Sequence, residues 1–344
     1  MPITPSIAII YKNFAAYKGI SHIGLGVSAS LNASVLTAKV CPAQVIPATN
    51  NIEIVQAITK WNKEHPSEPL THIVISAPWL STRDIRAMAE HFKSIKFAVL
   101  SHSNVGFLQA DPNGVRLLRQ GLELSQEIPN FVIAGNSRKF VDWMEIAYGY
   151  PLALLPNMYP FTEIHKEIKK EGVIKIGTFG AIRPQKNVLT AAAAAIVIGR
   201  ESNRPVEFYV NSGREEGGTT TLTNALYQLT CNIPNFELKK APWAPWWDFK
   251  KTVAEMDLLI QISYTESFNM VTADGISSGI PSVVSQAISW APEDWKANSD
   301  DALEVAKVGM KLLESHRMRA EGMKALDRHN DAALKDWKHF LGVK

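Results

Sequence analysis

Cysteine is scarce. Cys41 and Cys231 are the two in 344 residues, too few and too far apart to build a disulfide framework, so free thiols in a reducing compartment are expected, with the cytoplasm as the default. Long hydrophobic runs are lacking as well. No stretch approaches about 18 unbroken apolar residues, and the opening MPITPSIAIIYKNF has neither the basic segment nor the apolar run of a signal peptide, so no transmembrane segment is expected. The densest apolar run, 191–198, is Ala-rich and bounded by Asn187 and Arg200, which suits a packed helix. Charge of one sign is weak: 36 Lys and Arg against 33 Asp and Glu leave a formal net charge of +3, which does not demand nucleic acid or an anionic membrane and is compatible with either. The nine histidines form no His-x3-His or His/Cys cluster at ligand spacing, which argues against zinc. A Gly-x-Ser-x-Gly elbow and a Walker loop are missing too. No period of roughly 20–50 residues recurs, which excludes a solenoid.

What the chain does have is length and rhythm. At 344 residues it exceeds the size at which single cores stop growing, and two domains of about 150 residues are the natural expectation. A hydrophobic share of 46% against 20% charged residues supplies full cores and gives no compositional reason for disorder. Apolar runs at 7–11, 44–46, 72–75, 96–100, 131–134 and 152–155 alternate with amphipathic stretches, and the pattern restarts at 173. Strand and helix by turns predict an α/β fold of parallel sheets wrapped on both faces, two Rossmann-like doubly wound domains. The charged run after LLPNMY marks the boundary, giving an N-terminal domain over 1–160 and a second over 161–325. Residues 326–344 are expected as a C-terminal helix able to cross back to the first domain.

Four stretches carry candidate chemistry. The first strand leads into YKNFAAYKGISHIGLG, where Gly19 reads either as a ligand contact or as a packing glycine. His102 follows the strand at 96–100, where sites collect, and reads equally as a satisfied structural histidine. A strand ending near Gly180 runs into a turn with Arg183 and Lys186 and a helix capped by Asn187. Those two cations suit a diphosphate, the arginine as a fork and the lysine as a point charge; a solvated turn is the alternative, and the helix start nearby favours the diphosphate. The fourth stretch, DLLIQISYTESFNMVTADGISSGIPSVV, reads as strand, polar loop, short helix, turn and strand. Its acids Glu266 and Asp274 flank Ser267, Phe268 and Asn269, and by themselves read equally as a solvated Glu266 beside a plain N-cap at Ser267. A helix starting near Ser267 would put Asp274 about two turns on, roughly 12 Å away, with those three residues carrying free first-turn amides that favour an anion. Trp243, Trp246 and Trp247 would stack on a base or sugar or form an aromatic interdomain wall, and packing is the preferred reading.

TESFNMVTADG, the preceding MDLLIQIS, the following SSGIPSVVS and FGAIRPQKN together resemble the retaining GT-B glycosyltransferases. The likeness is to the family 4-like enzymes with a Glu, seven residues, then Glu signature, whose second acid is here Asp274. It is strongest over 173–285 and weaker over the first half, where KGISHIGLG, LSHSN and LLPN occur at plausible places. The resemblance implies two Rossmann-like domains facing a cleft, a nucleotide-sugar held mainly by the second domain and the acceptor mainly by the first. Carried over, Asp274 would bind the ribose hydroxyls and Glu266 the transferred sugar. The amides of Phe268 and Asn269, beside Ser267 and Gly180, would hold the diphosphate with Lys186 and Arg183. Gly19 would add a donor contact and His102 would face the sugar. The departures are Asp274 for Glu, Ala181 where arginine often follows the glycine, and Lys18-Gly19 in place of a Gly-Gly pair.

The implied reaction needs no cofactor and no obligatory metal. Fixed cations and amides would stabilise charge building on the departing nucleoside diphosphate, and same-face attack by an acceptor hydroxyl would retain the configuration. A glycan or glycolipid is the expected acceptor, with nucleic acid as an alternative through hydroxymethylated pyrimidines of phage-like DNA. A catalytically weak GT-B-like binding or scaffold protein is the reading from another class, and a phosphorylase or epimerase a third. The sequence leaves the oligomeric state open.

Overall fold

A computed structural model describes residues 4–13, 23–212 and 220–343. They fall into two compact units, Met1–Pro160 with Asn330–Lys344, and Phe161–His329.

The first unit runs β1 (Ile7–Lys12), α1 (Ile23–Lys39), β2 (Ala43–Ala48), α2 (Asn51–Glu64), β3 (His72–Ser76), α3 (Thr82–His91), β4 (Lys96–Ser101), α4 (Val105–Leu108), α5 (Pro112–Glu127), β5 (Phe131–Gly135), α6 (Arg138–Tyr148) and β6 (Ala153–Leu154). All six strands are parallel, in the order β2-β1-β3-β4-β5-β6. Successive side chains of a strand point to opposite faces, so each strand feeds two cores. Ala8, Ile10, Ile73, Ile75, Phe97 and Val99 pack on one face. Ile7, Ile9, Val74, Ala98 and Leu100 pack on the other. Helices begin where side chains satisfy their orphan amides: Asn50 Oδ1 accepts from Glu53 N at 3.0 Å, Ser81 Oγ from Asp84 N at 3.2 Å and Asp111 Oδ1 from Gly114 N at 2.8 Å.

The second unit runs β7 (Ile174–Thr178), a 3-10 turn (Pro184–Lys186), α7 (Val188–Ser202), β8 (Val206–Ser212), α8 (Thr220–Thr230), β9 (Phe236–Pro242), α9 (Trp246–Ala254), β10 (Leu258–Gln261), α10 (Met270–Ile276), β11 (Ser282–Val284) and α11 (Ala302–Glu314), then α12 (His316–Leu341). Its five strands are also parallel, ordered β11-β10-β7-β8-β9. From β7 the chain winds outward through β8 and β9, then returns to β7's other side with β10 and β11. The sheet's switch point therefore lies between β7 and β10, the crevice where doubly wound sheets take ligands.

Helix α12 runs unbroken across position 326, and the division between units falls inside it, between His329 and Asn330. Its last turns belong to the first unit's core. Trp337, Phe340 and Leu341 pack with Ile7 and Ile9, and Trp337 Nε1 donates to Pro156 O at 2.8 Å. Asn330 closes a two-way clamp on the Tyr159 backbone, 2.8 Å in each direction.

Candidate functional site

The loop after β7 and the loop after β10 leave the carboxyl edge of the second sheet on either side of its switch point, and they meet. Lys186, in the first loop, forms an ion pair with Glu266 Oε1 in the second. Tyr264 N donates to Gln185 O at 2.9 Å, a backbone tie between the same loops. Asn187 anchors the junction in a left-handed conformation, φ 54°, which asparagine tolerates better than most residues. It was expected to cap α7. It does stand at the N-cap, but no helix amide donates to its side chain. The side chain instead accepts from Tyr264 Oη at 3.1 Å and Thr190 Oγ1 at 2.8 Å, while Nδ2 donates to Ser299 O at 2.6 Å.

Glu266 is nearly buried, with 12% of its side chain exposed, as is that of Lys186. Oε1 also accepts from Ser263 Oγ at 3.0 Å and Asn269 Nδ2 at 3.1 Å. Desolvation works to raise its pKa, but the Lys186 ammonium, the Arg183 guanidinium and the Ser263 hydroxyl together outweigh it and hold the carboxyl below the usual 4.5. Arg183 is thereby placed in electrostatic reach of Glu266. Gly180 sits at φ 120°, a conformation L side chains rarely adopt, and donates its N–H to Asn211 Oδ1 at 2.7 Å. A Cβ there would lie 3.4 Å from Lys186 Cε, so the turn carries the lysine directly over the glycine.

One expectation needs correction. The helix does not start near Ser267. It begins at Met270, with Asn269 as N-cap at φ 66° accepting from Thr272 N at 2.9 Å. Ser267, Phe268 and Asn269 thus precede the helix rather than form its first turn, and the expected three-amide cradle at a helix start is not built. Phe268 is a core residue instead, stacked on Trp290 at 5.3 Å, and its carbonyl accepts from Trp290 Nε1 at 2.6 Å. Asp274, expected to bind the ribose hydroxyls, lies on α10, is 1% exposed and accepts from Trp246 Nε1 at 2.9 Å. Trp246 therefore has a polar duty inside its own unit, beyond the packing role expected for the tryptophans. Its neighbour Trp247 is 70% exposed, 4.7 Å from it between ring centroids.

In the first unit His102 follows β4 and lies between the ends of β3 and β5. Nε2 meets Ser76 Oγ at 2.8 Å and Nδ1 faces Asn136 Nδ2 at 3.3 Å. With the Asn136 amide nitrogen assigned as donor, Nδ1 is the acceptor and Nε2 carries the proton. Desolvation drives the His102 pKa down to about 4, which makes it a neutral imidazole near pH 7. Gly19 lies outside the described residues. Ser76, Asn136, Ser263 and Asn211 were not singled out in the sequence, although HIVIS, FAVLSH and FVIAGN each end an apolar run on a polar residue at a strand's carboxyl end. Among the described residues no three His, Cys, Asp or Glu side chains gather as a metal set, and no helix is long and apolar enough to cross a membrane.

Two parallel, doubly wound α/β units are the fold of the GT-B glycosyltransferases, and solved structures of that class match the chain. A UDP-forming α,α-trehalose-phosphate synthase from Burkholderia xenovorans, in complex with glucose-6-phosphate, matches at 10% identity over 98% of this chain and 100% of its own, TM-score 0.62. Anabaena HepE in complex with UDP-glucose matches at 13% over 96% and 99%, TM-score 0.59. A TarM variant from S. aureus, bound to fondaparinux, α-GlcNAc-glycerol and UDP, matches at 13% over 85% of this chain, TM-score 0.59, and the chain spans 58% of TarM's length. No protein-family model matches, and neither does any curated protein sequence.

Proposed function

We propose that the chain is a retaining glycosyltransferase that moves a sugar from a nucleotide-diphosphate sugar to the hydroxyl of a glycan or glycolipid acceptor, acting in the cytoplasm. The observation that carries this reading is the Lys186–Glu266 pair at the second sheet's switch point, with Arg183 in electrostatic reach. An ionised carboxylate that accepts hydrogen bonds suits sugar hydroxyls, which can donate to it. The lysine and arginine beside it supply fixed positive charge where a departing diphosphate gathers negative charge, an effect that lowers the barrier because it grows towards the transition state. The solved structures of the same fold that were bound to UDP or UDP-glucose support this choice of donor class.

In this reading Lys186 has two partners in turn. Without donor it neutralises Glu266, which keeps a buried carboxylate affordable. With donor its ammonium is shared with the diphosphate, and Glu266 is released to accept from the sugar. Asp274 acts on the ribose only where the donor competes with the Trp246 indole for its carboxylate, and His102 serves as a neutral hydrogen-bonding group. No cofactor and no obligatory metal enters this scheme. Incubating the protein with a panel of nucleotide-diphosphate sugars and glycan, glycolipid and hydroxymethylated-DNA acceptors, with products read by mass spectrometry, tests the proposal. A glycosylated glycan or lipid of retained configuration is expected. A product on DNA alone, or of inverted configuration, would overturn that part of the assignment.

A further inference from the structure

At the opposite, amino-terminal edge of the second sheet lies a cavity of about 310 Å³ whose lining includes Lys166, His165, His316, Arg317 and Arg319. Its floor is apolar, with Ile276, Ile280, Pro281 and Trp295 among the lining residues. No acid lines it. Asp257 and Glu321, in electrostatic range of the lining cations, already have closer partners. Asp257 takes the Lys175 amide at 2.9 Å and the Lys169 ammonium at 3.2 Å, and Glu321 takes Lys324 at 2.9 Å. Lys166, Arg317 and Arg319 line the cavity, and Arg317, in electrostatic range of Glu321, forms no close ion pair among the described residues, so the lining itself is cationic.

Its walls are built. Lys166 Nζ donates to Met256 O at 2.8 Å and to Ala254 O at 2.6 Å, and Arg319 Nε donates to Leu312 O at 3.0 Å. The 164–166 segment passes so close over the Gly279 turn, φ 72°, that a Cβ there would meet Ile164 O at 2.8 Å. The Trp295 indole donates to Met318 O at 2.8 Å and leaves its ring 1% exposed against α12. Burial pulls the pKa of both Lys166 and Arg319 down even with Asp257 in range, so these cations sit in an environment that disfavours their charge. An arriving anion relieves that strain.

We propose that this cavity is a second binding site, separate from the Lys186–Glu266 crevice, for a phosphate monoester bearing a short apolar group. Guanidinium forks match phosphate oxygens, and the apolar floor takes the ester's carbon chain. The volume stands at the low end of small-ligand pockets, near 300 Å³, which limits the occupant to a small molecule or the terminal part of a larger one. The site does not depend on the glycosyltransferase reading.

Calorimetric titration of the full chain with hexyl phosphate tests it, with inorganic phosphate and hexanol as controls. Hexyl phosphate is expected to bind at least tenfold more tightly than either control. Arg317→Glu, at an exposed position, and Ala320→Leu, which fills the cavity, should each weaken it at least tenfold with melting temperature unchanged. Lys186→Met should leave the titration as it is. No heat with hexyl phosphate, equal affinity in both cavity variants, or loss in Lys186→Met would each overturn the proposal. Co-sedimentation with phosphatidic acid vesicles, abolished by Arg317→Glu, would identify a lipid headgroup as the source. Hexyl phosphate binding without sedimentation would identify a soluble ester.

Discussion

Glu266 and Lys186 are each tolerable where they stand because of the other. A buried pair broken on one side leaves an uncompensated charge, whereas a change on both sides removes the problem. Lys186→Met is therefore expected to lower stability by about 3 kcal/mol, Glu266→Gln by less, and the double variant by less than Lys186→Met alone. Chemical denaturation of the three proteins measures the coupling, and additive losses would mean the pair is not a stabilising unit. Acid adds a second test at this scale. His102 and His72 both titrate near 4 in the folded protein, driven down first by desolvation, with Lys96 adding to the effect at His72. A depressed histidine pKa means the unfolded chain takes the proton first. Their stabilisation is complete above the usual 6.5 and is lost as pH falls from there to about 4, on the order of 3 kcal/mol for each. Below 4.5 the lowered Glu266 carboxyl adds its own loss. Thermal melts across this range should fall steeply, and less steeply in His72→Gln; identical slopes would remove that histidine from the account.

At the scale of elements, the alternation of strands and helices was legible because β1, β3, β4, β5, β7 and β10 are apolar runs bounded by polar turns, and burial on both faces demands such runs. The two cationic and acidic loops were legible for the same reason, since each follows one of these strands. The onset of α10 was not. In TESFNM both Ser267 and Asn269 are good cap residues, and propensity does not choose between them. Asn269 wins through tertiary context, because its amide also reaches Glu266 Oε1 and Gln261 Oε1. The Asp274–Trp246 bond was equally invisible, since it joins residues 28 positions apart on different helices. Trp246→Phe keeps the ring and removes the donor, so nucleotide affinity is expected to rise modestly if the indole competes for Asp274. A fall of tenfold or more in calorimetric affinity would show that the indole positions Asp274 instead. Gly180→Ala forces a Cβ into φ 120°, at a cost of about 1–3 kcal/mol, and should misplace Lys186 along with the turn. Unchanged stability and unchanged activity would contradict the role given to this turn.

On the scale of the whole molecule, each unit has one sheet, two covered faces and a polar carboxyl edge, and the chain's last helix supplies Trp337 and Phe340 to the first unit's core. Removing residues 330–344 should therefore unfold the first unit while the second keeps its own core, which limited proteolysis would show as a protected fragment over 161–329. The central claim is that the crevice between β7 and β10 takes a nucleotide-diphosphate sugar through Lys186 and Glu266. Nucleoside diphosphate release from a panel of such sugars, followed in the full chain and in a folded Glu266→Gln variant, tests that claim most directly. The account predicts release from at least one donor, slowed at least tenfold by the substitution. No release from any donor, or the same rate in both proteins, would contradict it.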